Sequence, residues 1–94
     1  MSIQALAAVR NLTRDLTFVE PRNRFVLYAL ADYADGNGIA WPSFNTLSEW
    51  TGYTRRSIMR SIAELDEEGF ISVAVRTRGN GSFTSNVYRL LFVD

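Results

Sequence analysis

The residues best able to do chemistry in this sequence are arginines, and they are grouped. Thr54, Arg55, Arg56, Ser57 and Arg60 place three guanidinium groups and two hydroxyls within seven residues, with no acid before Glu64. A guanidinium is a planar fork of donors that suits phosphate oxygens and the O6/N7 edge of guanine. A second group, Arg76, Arg78, Asn80 and Ser82, lies in and beside a glycine-rich stretch further along. The groups that catalysis most often uses are missing. With no cysteine and no histidine there is no thiol nucleophile, thiolate zinc site or imidazole base. The acids Glu64, Asp66, Glu67 and Glu68 point in different directions if helical, so they cannot converge on one metal. Binding is expected, and neither an enzyme nor a bound cofactor or metal.

The first group needs a helix to position it, and the spacing predicts one over 54–68. Ile58, Ile62 and Leu65 recur at i, i+4 and i+7 on one face, while Arg56, Arg60, Ala63 and Glu67 fall on the opposite face. Thr54 is placed to cap the start and Gly69 to close the end. A shorter helix is expected from a Ser43 cap through about residue 51, with Phe44, Leu47 and Trp50 as its apolar stripe and Gly52 as its left-handed stop. Two helices so close in sequence must turn sharply, which predicts a helix-turn-helix over 43–68. In that motif the second helix enters the DNA major groove.

Charge distribution separates this reading from a plain helical hairpin. Arg55 and Arg56 sit in the first turn, where the helix dipole favours acids, and Asp66, Glu67 and Glu68 sit in the last, where it favours bases. Each mismatch costs roughly 0.3–1 kcal/mol when exposed. Inverted charge fits a helix whose N-terminal half meets a polyanion and whose C-terminal half stays away from it. On that face Arg56 and Arg60 address one groove together, with Arg55 toward a flank. Ala63 keeps the helix slim, Met59 shields the core edge or, alternatively, meets a thymine methyl, and Thr54 and Ser57 are candidates for phosphate contacts. The net charge of the chain is zero, but the three arginines of 54–62 and Arg76, Arg78 and Arg89 of 70–93 stand in stretches without acids.

Ninety-four residues with 47% hydrophobic content suit one small domain with a modest core. A helical extension is expected over 1–16, with Ile3, Leu6, Ala7 and Val9 as an apolar edge that packs on the domain or, alternatively, pairs with a second copy. A scaffold helix should follow over 21–35, opened by Pro21, with Phe25, Leu27, Leu30, Ala31 and Ala34 mostly facing the core. Asp35-Gly36-Asn37-Gly38 is a concentrated turn signal, and a small strand is expected at 39–41. Trp41 and Trp50 read as core anchors beside the helix-helix corner. Residues 70–77 and 87–93 read as strands joined by a hairpin loop, RGNGSFTSN. The pattern predicts an α+β fold, a winged helix-turn-helix of three to four helices with a C-terminal β-hairpin wing over 70–93. Arg76 and Arg78, with Asn80, lie where the wing can reach phosphate or a minor groove.

The string LADYADGNGIAWPSFNTLSEWTGYTRRSIMRSIAELDEEGFI, followed by a hairpin ending SNVYRL, resembles the winged helix-turn-helix domains of phage and plasmid replication proteins of the phage lambda O type and related bacterial regulators. The resemblance covers residues 25–90. It implies a DNA-binding domain in which Arg55, Arg56, Ser57 and Arg60 match the contact positions of the recognition helix. Two positions depart from the pattern: Ser48, where the first helix often has alanine, and Arg55, which the pattern leaves free. The expected partner is double-stranded DNA, bound with sequence preference in transcription or replication. A small domain with few arginines is expected to use two copies on one duplex, as a homodimer or cooperative oligomer. The alternative class is a winged helix used for protein–protein contact, which exposed aromatics such as Tyr53 or Phe83 would suit. No leader and no run near the roughly 20 apolar residues of a membrane span is present, so a cytoplasmic location, with no membrane or small-molecule partner, is expected.

Overall fold

The computed structural model of the protein describes residues 3–15, 19–77 and 83–92. Within these, four helices and three strands follow in the order α1 (Ile3–Asp15), α2 (Pro21–Tyr33), β1 (Ile39–Ala40), α3 (Phe44–Thr51), α4 (Arg55–Glu67), β2 (Ile71–Thr77) and β3 (Phe83–Leu90). The strands form one antiparallel sheet in the order β1-β3-β2, with Ile71 opposite Leu90 and Ile39 opposite Arg89. Helices followed by this hairpin make the winged helix-turn-helix that the pattern predicts.

The core is the meeting of the inward faces of α2, α3, α4 and the sheet. Val26, Leu27 and Leu30 of α2, Leu47 of α3, and Ile58, Ile62 and Leu65 of α4 are buried with Ile71, Tyr88 and Leu90 of the sheet. Full burial of each large aliphatic side chain is worth about 1.5–3 kcal/mol, so this set supplies most of the drive to fold. Ala29, Ala31, Ala34 and Ala40, with Ala5 and Val9 of α1, complete this core with small side chains. In β3 burial alternates, Tyr88 and Leu90 inward and Arg89 outward, as a half-buried strand requires.

Side-chain hydrogen bonds lock the corner between α3 and α4. Ser43 accepts from the Thr46 amide at 3.0 Å and Thr54 accepts from the Ser57 amide at 3.1 Å, so both predicted caps are in place. Gly52 ends α3 with φ of 80°, a left-handed conformation that costs a residue with a Cβ about 1–2 kcal/mol. Thr51 Oγ1 donates to the Leu47 carbonyl and accepts from the Tyr53 amide. Ser48 Oγ donates to the Tyr53 carbonyl. The serine that departs from the family pattern thus ties the first helix to the turn, a bond alanine cannot make.

Four expectations need correction. The scaffold helix stops at Tyr33, because Ala34 is already extended and Asp35 turns to accept from the Asn37 and Ile39 amides. Trp41 is 50% exposed and Trp50 also lies at the surface, its Nε1 donating to Asp32 Oδ2 at 3.0 Å. The core takes one ring fully, that of Tyr88, and Trp50 and Tyr53 instead pack against Phe25 at its edge. Helix α1 buries Ala5 and Val9, while Ile3 of the expected apolar edge is 80% exposed. Last, β3 begins at Phe83 and not near 87, since antiparallel pairing with β2 continues through Asn86, Ser85 and Phe83 despite an irregularity at Arg76/Thr77. Backbone pairing requires no apolar side chain, so hydrophobic pattern understates the strand's length.

Candidate nucleic-acid interface

The outward face of α4 is built as its period dictates. Arg56, Arg60, Ala63 and Glu67 are exposed on the side opposite the buried Ile58, Ser61, Ile62 and Leu65. Met59 is half-exposed, so it stands on the rim of this face instead of sealing the core edge. The first turn carries no acid and the last turn no base. The inverted charges are therefore set on a well-formed helix.

The five residues of the first group take different situations. Arg55 lies over the Phe44 ring, its Cζ 5.9 Å from the centroid, a cation–π contact that holds it against the start of α3. Arg56 makes no side-chain hydrogen bond or ion pair with the described residues. Thr54 is occupied as the cap and also donates to Ser57 Oγ at 3.0 Å, which leaves the Ser57 hydroxyl proton to point elsewhere. Cap bonding uses the Ser57 and Ile58 amides. The Arg55 and Arg56 amides thus remain at the positive end of the helix, where an anion can be held. Arg60, with 74% of its side chain exposed, brings Nε to 3.5 Å from Glu64 Oε2.

Glu64 is where sequence reading failed. The sequence groups it with Asp66, Glu67 and Glu68 as acids that share no target, and those three are exposed. Glu64 instead joins α4 to α2. Arg22 Nη2 donates to both its oxygens, at 2.6 Å and 3.0 Å, and Asn23 Nδ2 reaches Oε1 at 3.3 Å. Arg22 is itself fixed by its Nε bond of 2.7 Å to the buried Ser61 hydroxyl. The Asn23 hydrogen bond, opposed by partial desolvation and aided by the charges of Arg22 and Arg60, holds the Glu64 carboxyl below its ordinary value of 4.5. A depressed pKa contributes stability that is present above the unfolded value and is lost as pH falls through the folded one. Thermal melts of the wild type and Glu64→Gln should therefore differ most near neutral pH, keep that difference down to about pH 4.5 and lose it as pH falls further. A constant difference from pH 7 to pH 3 would mean that the carboxylate's charge is not what joins the helices.

The wing group is only partly placed. Arg76 stands in β2 opposite Ser85, near the far end of the hairpin. Arg78, Asn80 and Ser82 lie outside the described residues.

Residues 20–71, more than half of the chain, match the model of a helix-turn-helix domain. The chain belongs to that helix-turn-helix domain family. The match runs from the residue before α2 to the first residue of β2, so it contains α4 and the Arg22–Glu64 junction. Protein YmfN of Escherichia coli (strain K12) is 32% identical over 57 residues, which are 61% of this chain and 12% of that protein. The chain thus spans about an eighth of this relative. A solved structure described as a possible transcriptional regulator from Methanosarcina mazei Go1 is similar with a TM-score of 0.62, over 87% of this chain and 64% of its own, at 15% identity. At that identity the likeness is one of fold. Among the described residues, no helix is long and apolar enough to cross a membrane.

Proposed function

We propose that this helix-turn-helix domain binds double-stranded DNA with sequence preference, as a cytoplasmic regulator of transcription or replication of the phage or plasmid type. The observation that carries the reading is the outward face of α4. Two arginines one turn apart lead to a slim Ala63, free amides lie at the helix start, and the remaining acids stand at the far end. A helix docked by its N-terminal half would meet the groove with this face. Arg56 and Arg60 would supply groove contacts, Ser57 and the first-turn amides would bind phosphate, and Arg76 and Arg78 with Asn80 would hold the flanking backbone from the wing. The phage or plasmid assignment is supported by the resemblance in sequence to lambda O type domains. Assembly of two copies on one duplex is supported by the small number of arginines and the zero net charge.

One observation favours a second reading, a protein-contact module: the rings of Phe25, Trp50 and Tyr53 gather at the surface. Selection from a random duplex pool, followed by binding across a salt series, divides the two. DNA binding should enrich a motif, symmetric if two copies bind, with affinity that falls steeply as salt rises. No enrichment, together with salt-insensitive association, would leave the protein-contact reading in its place.

A further inference from the structure

We infer that Glu64 is a specificity-determining positioning residue: held by Arg22 and Asn23, it turns Arg60 so that the end of its guanidinium faces a guanine. The inference rests on the DNA-binding reading and goes beyond it by separating the roles of the α4 arginines. A guanidinium has a side edge, formed by Nε and one Nη, and an end edge formed by both Nη atoms. Glu64 Oε2 approaches Arg60 from Nε, at 3.5 Å. The end edge is left without a hydrogen bond to the described residues and belongs to a side chain that is mostly in solvent. That edge matches the O6 and N7 acceptors of guanine in the major groove.

Two features make Glu64 a fixed support and not a passing surface partner. Its carboxylate receives Arg22 Nη2 on both oxygens and Asn23 Nδ2 on one, so it cannot rotate away with Arg60. Arg22 also supplies the balancing charge. Were Arg60 the sole partner, its charge would be spent on the acid; Arg22, 2.6 Å from Glu64 and 3.6 Å from the more exposed Glu20, is the nearer cation to Glu64, so the end edge of Arg60 stays available to an anion or a base. The other arginines lack such support. Arg56 has Arg60 four residues on, and Arg55 has Met59 there and rests on Phe44. Arg60 is thus the base reader, and Arg56 is left to follow phosphate.

The test uses a duplex obtained by selection, in which each guanine is replaced in turn by 7-deazaguanine, which pairs normally but lacks N7. The wild type should lose about tenfold in affinity at one guanine, because one of the two acceptors of the bidentate contact is gone while O6 remains. Arg60→Ala should lose nothing further there. Glu64→Gln should show a clearly smaller penalty at that guanine with an unchanged salt slope. Glu64→Asp, which keeps the charge for Arg22 but withdraws it from Arg60, should behave likewise and guards against a folding defect in the glutamine variant. Wild-type binding with no guanine penalty, or a full penalty retained in both Glu64 variants, overturns the inference and leaves the DNA-binding reading intact. Equal weakening on every duplex would reduce Glu64 to a structural tie and also overturn it. Failure of the wild type to bind any duplex would remove the proposed function and the inference with it.

Discussion

Replacing both Arg56 and Arg60 by glutamate is expected to abolish duplex binding and leave helical content unchanged. Both side chains are exposed on the outward face of α4, so neither substitution disturbs the buried set of Ile58, Ile62 and Leu65. The change turns two cations facing the polyanion into two anions, and takes a chain of zero net charge to a clearly acidic one. A lost bidentate contact alone costs about 1–3 kcal/mol, and lost phosphate neutralisation with new repulsion adds to it, so a loss of roughly a hundredfold or more is expected. Folding should suffer little. The carboxylate introduced by Arg60→Glu would face Glu64 one turn away, a like-charge pair that costs only about 0.2–0.5 kcal/mol. Mobility shift at moderate salt and circular dichroism read the two quantities separately. If the reversed protein still retards duplex DNA, α4 does not present this face to the groove.

The largest effect on stability is expected from Ile58→Ala. Ile58 is fully buried in the core cluster that also holds Leu27 and Leu47, so its truncation leaves a cavity in the packed interior. Such truncations cost about 2–5 kcal/mol. A domain of this size has a total stability of roughly 5–14 kcal/mol, so the variant approaches the point of unfolding at ordinary temperature. Each lost kcal/mol lowers the melting midpoint by about 4–8 °C. The neighbouring Met59→Ala removes a half-exposed side chain and should stay within about 0.5 kcal/mol of the wild type apart from lost contact with the rim. Urea melts of the two variants make the comparison. Equal, small losses would mean that α4 does not dock through the Ile58 side.

These outcomes depend on different kinds of information. The faces of α4 were legible because helical period depends only on the spacing of Ile58, Ile62 and Leu65 against Arg56, Arg60 and Ala63. The caps at Ser43 and Thr54 were legible for a related reason: each bonds an amide three residues on, and no distant partner is needed. Gly52 likewise announces a left-handed stop wherever the chain folds. Even the inverted charges on α4 are a property of one segment and its dipole.

What the sequence could not decide is which groups from distant segments would meet. Arg22 and Asn23 lie 42 and 41 positions from Glu64, and no periodicity links them. The crossing of α2 over α4 alone turns Glu64 from one acid in a run into a fixed carboxylate between two arginines. Tertiary packing also placed Trp50 at the surface, where its ring meets Phe25 and its Nε1 donates to Asp32, 18 positions away. The sequence thus determined the helices, their caps and the arginine face, since those follow from bonds and spacings within a turn or two. Which arginine is held and which stays free was decided only when α2 and α4 packed, because charge pairing depends on distance in space and not along the chain.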